Sequence, residues 1–269
     1  LIDDGSNQAY GMDGAFALGD ASFIASYAKT QTESLDGNDQ FYQARFQYGG
    51  DLYGASAAYM VVEDNFNPEI GLARRVGFAE TSGNLRYSPR PESIPWIRRM
   101  SFGASGSYTA NERTSLRESR EAELSFGLEL ENNDNFSVNY SDVYDYLPGD
   151  TRISGALIPA GGYDVWDAAI RYSLGPQRTV SGSLSYRYGD FYSGTIQAFG
   201  LGGGRIDVSS RLNIEPSIEF NFIDLPGIQE EDGEFNQHVA RTRVTYGFSP
   251  RMFVSGLVQY NSGSESFGA

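Results

Sequence analysis

The sequence predicts an all-β fold, an antiparallel up-and-down transmembrane β-barrel. Three observations predict it. Apolar and polar residues alternate with a period of two along almost the whole chain, the alternating segments are long, and the connections between them alternate between short and long. A helix would space its apolar residues by three and four, whereas a period of two sends successive side chains to opposite faces of a strand. The segments run to about nine to twelve residues, against a usual mode of about five or six. That length suits a tilted strand crossing a bilayer, which needs roughly 9–11 residues, and no apolar run approaches the roughly 18 of a membrane-spanning helix.

About fourteen strands follow in order. Segments 8–18 and 22–32 flank the short turn Gly19-Asp20, and 40–48 and 52–62 flank Gly49-Gly50-Asp51. Segments 77–88 and 99–110 are separated by a Pro-rich link, 88–98. In 118–131, Leu124, Phe126, Leu128 and Leu130 alternate with Glu123, Ser125, Gly127, Glu129 and Glu131. After Asn132–Asp134, segment 135–146 sets Phe136, Val138 and Tyr140 against Ser137, Asn139 and Ser141. Segment 164–174 is followed by 179–189, where Val180, Leu184, Tyr186 and Tyr188 alternate with Ser181, Ser183, Ser185 and Arg187. Segment 194–207 precedes 210–223, where Leu212, Ile214, Ile218, Phe220 and Phe222 alternate with Arg211, Asn213, Glu215, Ser217, Glu219 and Asn221. Segments 237–248 and 252–262 complete the series.

Long connections at 30–39, 63–76, 147–163 and 225–236 interleave with short ones at 19–20, 49–51, 132–134, 175–178, 208–209 and 249–251. The link 88–98 is longer than its place predicts, and 190–193 is shorter. In an up-and-down barrel all odd connections lie at one rim and all even ones at the other, and outer-membrane barrels pair short periplasmic turns with long extracellular loops. A Greek-key sandwich would mix loop lengths at both ends. A propeller would repeat at a fixed period with a blade signature. The faces then assign themselves: Leu, Phe, Ile, Val and Tyr toward lipid, and Ser, Asn, Gly, Glu and Arg toward a wet interior. Tyr48, Tyr108, Tyr146, Tyr172, Tyr188 and Tyr260 near strand ends, with Trp166, suit an interfacial girdle. A soluble β-protein with its apolar face packed inward also alternates; strand length and loop alternation favour the barrel.

Composition narrows the function. Twenty Lys+Arg against 35 Asp+Glu give a formal charge of −15, the wrong sign for a nucleic-acid partner. The absence of cysteine excludes disulfides and Cys-ligated metal. Thirty-seven aromatics (17 Phe, 18 Tyr, 2 Trp) argue against a disordered acidic chain. His238 is the only histidine and Lys29 the only lysine. The first strand runs toward a short turn and the last begins after one, so both ends fall at the long-loop rim. Single-chain barrels normally start and end in the periplasm with an even strand number. The expectation is therefore one barrel domain over 1–269, part of a barrel of at least about sixteen strands, completed by further sequence or another chain.

An ordered set of motifs carries a resemblance. It comprises Phe66-Asn67-Pro68-Glu69-Ile70-Gly71-Leu72-Ala73-Arg74-Arg75, Gly83-Asn84-Leu85-Arg86-Tyr87-Ser88-Pro89-Arg90-Pro91 and Ile158-Pro159-Ala160-Gly161-Gly162-Tyr163. Gly189-Asp190-Phe191-Tyr192-Ser193-Gly194, Tyr246-Gly247-Phe248-Ser249-Pro250 and Gln259-Tyr260-Asn261 follow. In this order and spacing they resemble the C-terminal β-barrel part of an uncharacterised bacterial outer-membrane family whose members carry an N-terminal, family-nine-like carbohydrate-binding module. The resemblance spans essentially the whole chain. Against that family the carbohydrate-binding module, an early barrel segment and the closing strands are absent from these residues. It implies a glycan-associated surface protein or channel and brings no catalytic residues, an association by architecture rather than mechanism.

The candidate pore-lining residues are Arg45, Glu123, Glu129, Arg171, Arg187, Glu215, Glu219, Arg241 and Arg243. Rings of charged side chains set ion preference in a pore, and Arg stays charged at any working pH. The same residues could equally form ion-pair networks that hold a wet wall together. The acidic stretches Glu33–Asp39 and Gln229–Glu234 have Ca²⁺-type ligands but not the EF-hand spacing, and read as solvated outer loops; no metal or other cofactor is expected. His238 lies at a strand start with no partner visible in sequence, so no enzymatic activity is expected. Gly200–Gly204 lacks the Lys-Ser/Thr ending of a phosphate-binding loop and reads as a strand kink or bulge. Pro216 signals a break in pairing. The motif loop Asn67, Pro68, Glu69, Arg74 and Arg75 either folds inward as a constriction or packs on the rim, while Pro148, Pro159 and Pro226 stiffen other long loops.

The resulting expectation is a channel or surface conduit in the bacterial outer membrane, with glycan-related cargo implied by the resemblance. The alternative is a plugged barrel acting as membrane anchor or assembly scaffold with ligand-binding outer loops. Its partners would be outer-membrane lipid and other envelope proteins or the rest of the barrel, and no nucleic acid.

Overall fold

The computed structural model describes residues 6–33, 35–69, 75–153, 156–225, 234–263 and 266–268. The strands are β1 (Asn7–Leu18), β2 (Ala21–Thr32), β3 (Gln40–Gly49), β4 (Tyr53–Val62), β5 (Phe78–Tyr87), β6 (Ile97–Asn111), β7 (Arg117–Leu130) and β8 (Asn135–Leu147). A short hairpin follows, β9 (Thr151–Ile153) and β10 (Ala156–Ile158). Then come β11 (Gly161–Leu174), β12 (Val180–Phe191), β13 (Gly194–Asp207), β14 (Leu212–Asp224), β15 (Glu234–Ser249), β16 (Met252–Asn261) and the three-residue β17 (Ser266–Gly268). All fourteen predicted segments are strands, with ends displaced by at most three residues; the sequence reading misses β9, β10 and β17. Their three-residue length leaves no alternation to detect.

Fifteen strands form one antiparallel sheet in chain order, β1 to β8 and then β11 to β17, with the β9–β10 hairpin apart. This is an up-and-down topology, without helices among the described residues. Among the described residues no pairing joins β1 to β17, so the sheet is not closed into a barrel.

The chain divides into two compact units: Leu1–Ser88 with Gly103–Glu123 and Val143–Tyr146, and Pro89–Phe102 with Leu124–Asp142 and Leu147–Ala269. In the first unit, cross-strand register places Phe16, Phe23, Phe46 and Ala57 on one face. Ser26 with Gln43, and Ser56 with Asn84, lie on the other. In the second unit, Leu212, Ile214, Ile218 and Phe220 stand opposite Tyr246, Val244, Ala240 and His238. The alternate positions pair Glu215 with Arg243, Ser217 with Arg241 and Glu219 with Val239. Each unit therefore has one apolar and one polar face, because residues directly opposite across an antiparallel pair share a side.

The apolar face is bare. Phe16 is 70 % exposed, Leu184 62 % and Val254 56 %. The girdle residues Tyr48, Tyr108, Tyr146, Trp166, Tyr172, Tyr188 and Tyr260 are all exposed. Their rings associate: Tyr53 stacks on Tyr87 at 5.3 Å, and Trp166 lies 6.0 Å from Tyr188 and 6.1 Å from Tyr140. Tyr53 and Tyr59 share the apolar face six residues apart, about 20 Å of strand at the usual rise.

The buried apolar clusters lie on the opposite, polar face, at its long-connection end. In the first unit Phe66, from the connection after β4, packs with Val62 and Phe78 against Ala28, Phe41 and Met60. In the second, Ile158 of β10 packs with Ile196, Ile223 and Leu225 against Leu147, Tyr163 and Phe191. The polar face is therefore not open along its whole length: long connections fold back onto it and cover its long-connection end, because Phe66 and Ile158 gain burial there that solvent would deny them.

At the short-connection end a single carboxylate ties two turns together. Asp134 is buried. It accepts hydrogen bonds from the Gly175 amide (2.8 Å), the Tyr172 hydroxyl (2.8 Å) and the Arg178 guanidinium (2.7 and 3.1 Å). The Gly175 amide above all, then Tyr172 and Arg178, hold its carboxyl below the usual carboxylate range against the opposing effect of burial. A depressed native pKa contributes stability that is present above the unfolded value of about 3.9 and is lost as pH falls through the native value. We therefore expect Asp134→Asn to lower the melting temperature at neutral pH. The gap to wild type should narrow on acidification below the carboxylate range, as read by thermal melts across pH.

Candidate functional site

The polar face carries the charged candidates, and register decides which meet. In the second unit Arg171 and Ser185, Ala169 and Arg187, and Asp167 and Gly189 are cross-strand pairs on that face. Arg187 grips Asp167 with both ends of its guanidinium, Nε to Oδ1 at 3.1 Å and Nη2 to Oδ2 at 3.1 Å. Asp167 also accepts from the Ser141 hydroxyl at 2.7 Å. Arg171 donates to the Ser183 hydroxyl at 3.3 Å. Glu219 accepts from the Asn221 amide at 3.2 Å. Glu129 is held by Arg98 and Arg99, each at 3.0 Å. These side chains form the cross-braced wall that the ion-pair reading describes.

Elsewhere the polar face is less engaged. In the first unit Arg45, opposite Ile24 and Ala58, lines an open hollow with Gln47, Ser56, Ser82 and Asn84. Glu123 sits on β7 in the same alternation as Glu129 but in the other unit. The structure therefore does not gather the nine predicted residues into one site. It places Arg171, Arg187, Glu219, Glu215, Arg241 and Arg243 on one polar wall across β11–β15.

The most built feature of that wall is a bulge. The β12–β13 ladder shifts between Ser181 and Ser183, and the β13–β14 ladder shifts between Leu201 and Ile206. Gly203 adopts φ 56°, the left-handed region that favours glycine. A Cβ on Gly204 would lie 2.4 Å from the Pro216 carbonyl oxygen. The glycine run and Pro216, separate signals in the sequence, are thus one structural event: β13 bulges where Pro216 of β14 has no N–H to give. The hollow beside it, about 520 Å³, is lined by Gly203, Gly204, Arg205, Glu215, Arg241 and Arg243, with Pro216 on its wall. Arg205 is paired with Asp207 at 3.1 Å, and Asp207 also accepts from Asn213 at 2.8 Å. No ion pair among the described residues engages Arg241, Arg243 or Glu215, although Glu215 and Arg243 stand opposite in register.

Sequence reasoning misses Arg205, Asp207 and Asp167. The signal for Arg205 is the parity change across the bulge: Phe199 and Leu201 are apolar-facing at odd positions, whereas Ile206, opposite Ile214, is apolar-facing at an even one. Asp167 shares the parity of Arg171, the one charged residue the sequence reading takes from segment 164–174.

The other candidates resolve individually. In the motif loop the Asn67 amide donates to the Thr30 hydroxyl at 3.0 Å, and the Asn67 carbonyl accepts from Asn7 at 2.9 Å. Thr30 and Asn7 share the polar-face parity of Ala28, so this part of the loop lies against the polar face. Pro68 and Glu69 follow it. Arg75 stacks over Phe78 at 5.0 Å and pairs with Glu118. Arg74 lies outside the described residues, as do Pro226 and, apart from Glu234, the acidic stretch 229–234. In the stretch 33–39, Asp39 pairs with Lys29 at 3.6 Å and Glu33 accepts from the Ser6 amide. His238 lies on the apolar face, edge-on to Phe220 (5.1 Å) and Phe222 (5.5 Å), and its Nδ1 has no hydrogen-bond partner among the described residues. Among the described residues no three acidic or histidine side chains are grouped to hold a metal.

The bulge gives a paired test. Gly204→Val should destabilise the protein by roughly 1–3 kcal/mol, since the added carbons meet the Pro216 backbone in a packed ladder. Gly203→Asn should cost well under about 1 kcal/mol, because Asn tolerates the left-handed region and nothing lies within 4 Å of its Cβ. Chemical denaturation of the two variants reads the difference.

No protein-family model, no curated protein and no solved structure matches the chain.

Proposed function

We propose that the protein is an outer-membrane β-barrel whose polar face lines a solute path and whose apolar face meets lipid. The observation that carries this reading is the bare apolar face. Between the strand ends its charged residues are confined to the long-connection half of the strands: Lys29, Asp190 and Asp224 by register, and Glu118, Arg120, Asp142 and Asp164 by the same alternation. Water-exposed patches on soluble monomers rarely exceed a few hundred Å², whereas an apolar band edged by Tyr and Trp is what a bilayer selects. In lipid every backbone group must be paired. The edges of β1 and β17 then need each other, or strands of further sequence or another chain. The motif resemblance supports the same location, the bacterial outer membrane, and a glycan-related cargo.

A second reading, a plugged barrel serving as anchor or scaffold, is favoured by one observation: the connections bearing Phe66 and Ile158 fold onto the polar face. No hydrolytic role is proposed, because His238 faces away from the polar side chains that could serve it.

Two measurements test the reading. Heat-modifiable protein in planar bilayers should give single-channel steps; a folded barrel without steps supports the plug. Leu184→Arg should block insertion or cost about 2–4 kcal/mol, the range for Arg at the midplane of a barrel's lipid face, while Ser185→Arg is tolerated. Equal tolerance of both would contradict a lipid-facing apolar side.

A further inference from the structure

We infer that the bulge hollow in the second unit binds an oxyanion group (carboxylate, sulfate or phosphate) on a passing solute, through Arg241 and Arg243. The inference rests on the reading that this face is wet. Several other guanidiniums in the same unit are engaged by carboxylates, Arg187 by Asp167, Arg205 by Asp207, Arg178 by Asp134, and Arg98 and Arg99 by Glu129, and Arg171 donates to the Ser183 hydroxyl. Arg241 and Arg243 are exposed, two residues apart on one strand and so on one side, and neither has a carboxylate or side-chain hydrogen-bond partner among the described residues. Across from them stand Ser217 and Glu215, and on the far side Gln259 and Leu257. Glu215 is the one unengaged carboxylate of the hollow, so two free guanidiniums face one carboxylate. With Arg205 and Asp207 neutralising each other, the hollow keeps a positive excess within a chain of net charge −15.

Shape agrees with charge. The bulge withdraws the Gly202–Arg205 stretch of β13 from its ladder with Glu215–Ser217 of β14. Glycines at 203 and 204 leave the floor without side chains, so a ligand can approach the backbone between the arginines. A planar guanidinium offers parallel N–H donors that match the two oxygens of an oxyanion, and charge-assisted bonds of this kind are the strong ones. The volume of about 520 Å³ suits one small anionic solute rather than a polymer.

The test titrates detergent-folded protein, its fold checked by heat-modifiable migration, with inorganic pyrophosphate and separately with citrate, by calorimetry. We expect saturable binding that weakens about tenfold or more in Arg241→Gln/Arg243→Gln, since the charge-assisted hydrogen bonds of both guanidiniums are lost. Arg45→Gln, in the other unit, should bind as wild type, and Arg241→Lys/Arg243→Lys should retain part of the affinity. Binding of only one probe identifies the oxyanion class. No saturable binding of either, or equal binding by the Gln variant, overturns the inference. Bilayer conductance on the same samples separates the two proposals. Steps without anion binding leave the channel and remove the site, whereas binding without steps keeps the site and removes the channel.

Discussion

A one-residue slip in any strand pair of this sheet would exchange that strand's two faces. Parity across the antiparallel ladders is the constraint on which everything else here depends. Because side chains alternate with period two, register determines whether Phe220 joins the apolar face or Glu219 does. In a soluble sheet one of these faces would be covered by a second layer. In the described residues the charged face carries the buried clusters of the folded-back connections, whereas the aromatic face is mostly exposed, with Val61 its buried exception. This inversion of the usual arrangement is the central physical fact of the molecule, and a lipid environment resolves it without further structure.

The two ends of the strands solve different problems. At the short-connection end, turns are fixed by local chemistry and by the Asp134 knot, which satisfies a buried carboxylate with an amide, a hydroxyl and a guanidinium. Such a group is stabilising only while all its partners are present, since an unpaired buried charge costs several kcal/mol. At the long-connection end the chain uses hydrophobic burial instead, through Phe66 and Ile158. That burial extends over the polar wall, so the same contacts that order the long connections also cover its long-connection end.

Much of this was legible in the residues. Alternation locates every long strand to within three residues, since a half-buried strand must repeat every two positions. Gly200–Gly204 and Pro216 each read as a defect in pairing, and both are. That they are the same defect was not legible, because the register joining residue 204 to residue 216 is a property of the folded ladder. Likewise Arg241 and Arg243 are assigned to the polar face from alternation alone, whereas their lack of carboxylate partners depends on side-chain geometry. The docking of the motif loop on the polar face rests on Asn67 meeting Thr30 and Asn7, 37 and 60 residues away, contacts that no local pattern encodes.

The chain has no cysteine, so each residue can be made a unique labelling site. A nitroxide scan along positions 239–246 of β15 in lipid bilayers, with oxygen and a water-soluble nickel chelate as relaxants, reads the environment of each face. If the apolar face meets lipid, oxygen accessibility peaks at the even positions (Ala240, Thr242, Val244, Tyr246) and nickel accessibility at the odd ones (Val239, Arg241, Arg243, Thr245). Nickel accessibility at the even positions, or no alternation at all, would contradict the account.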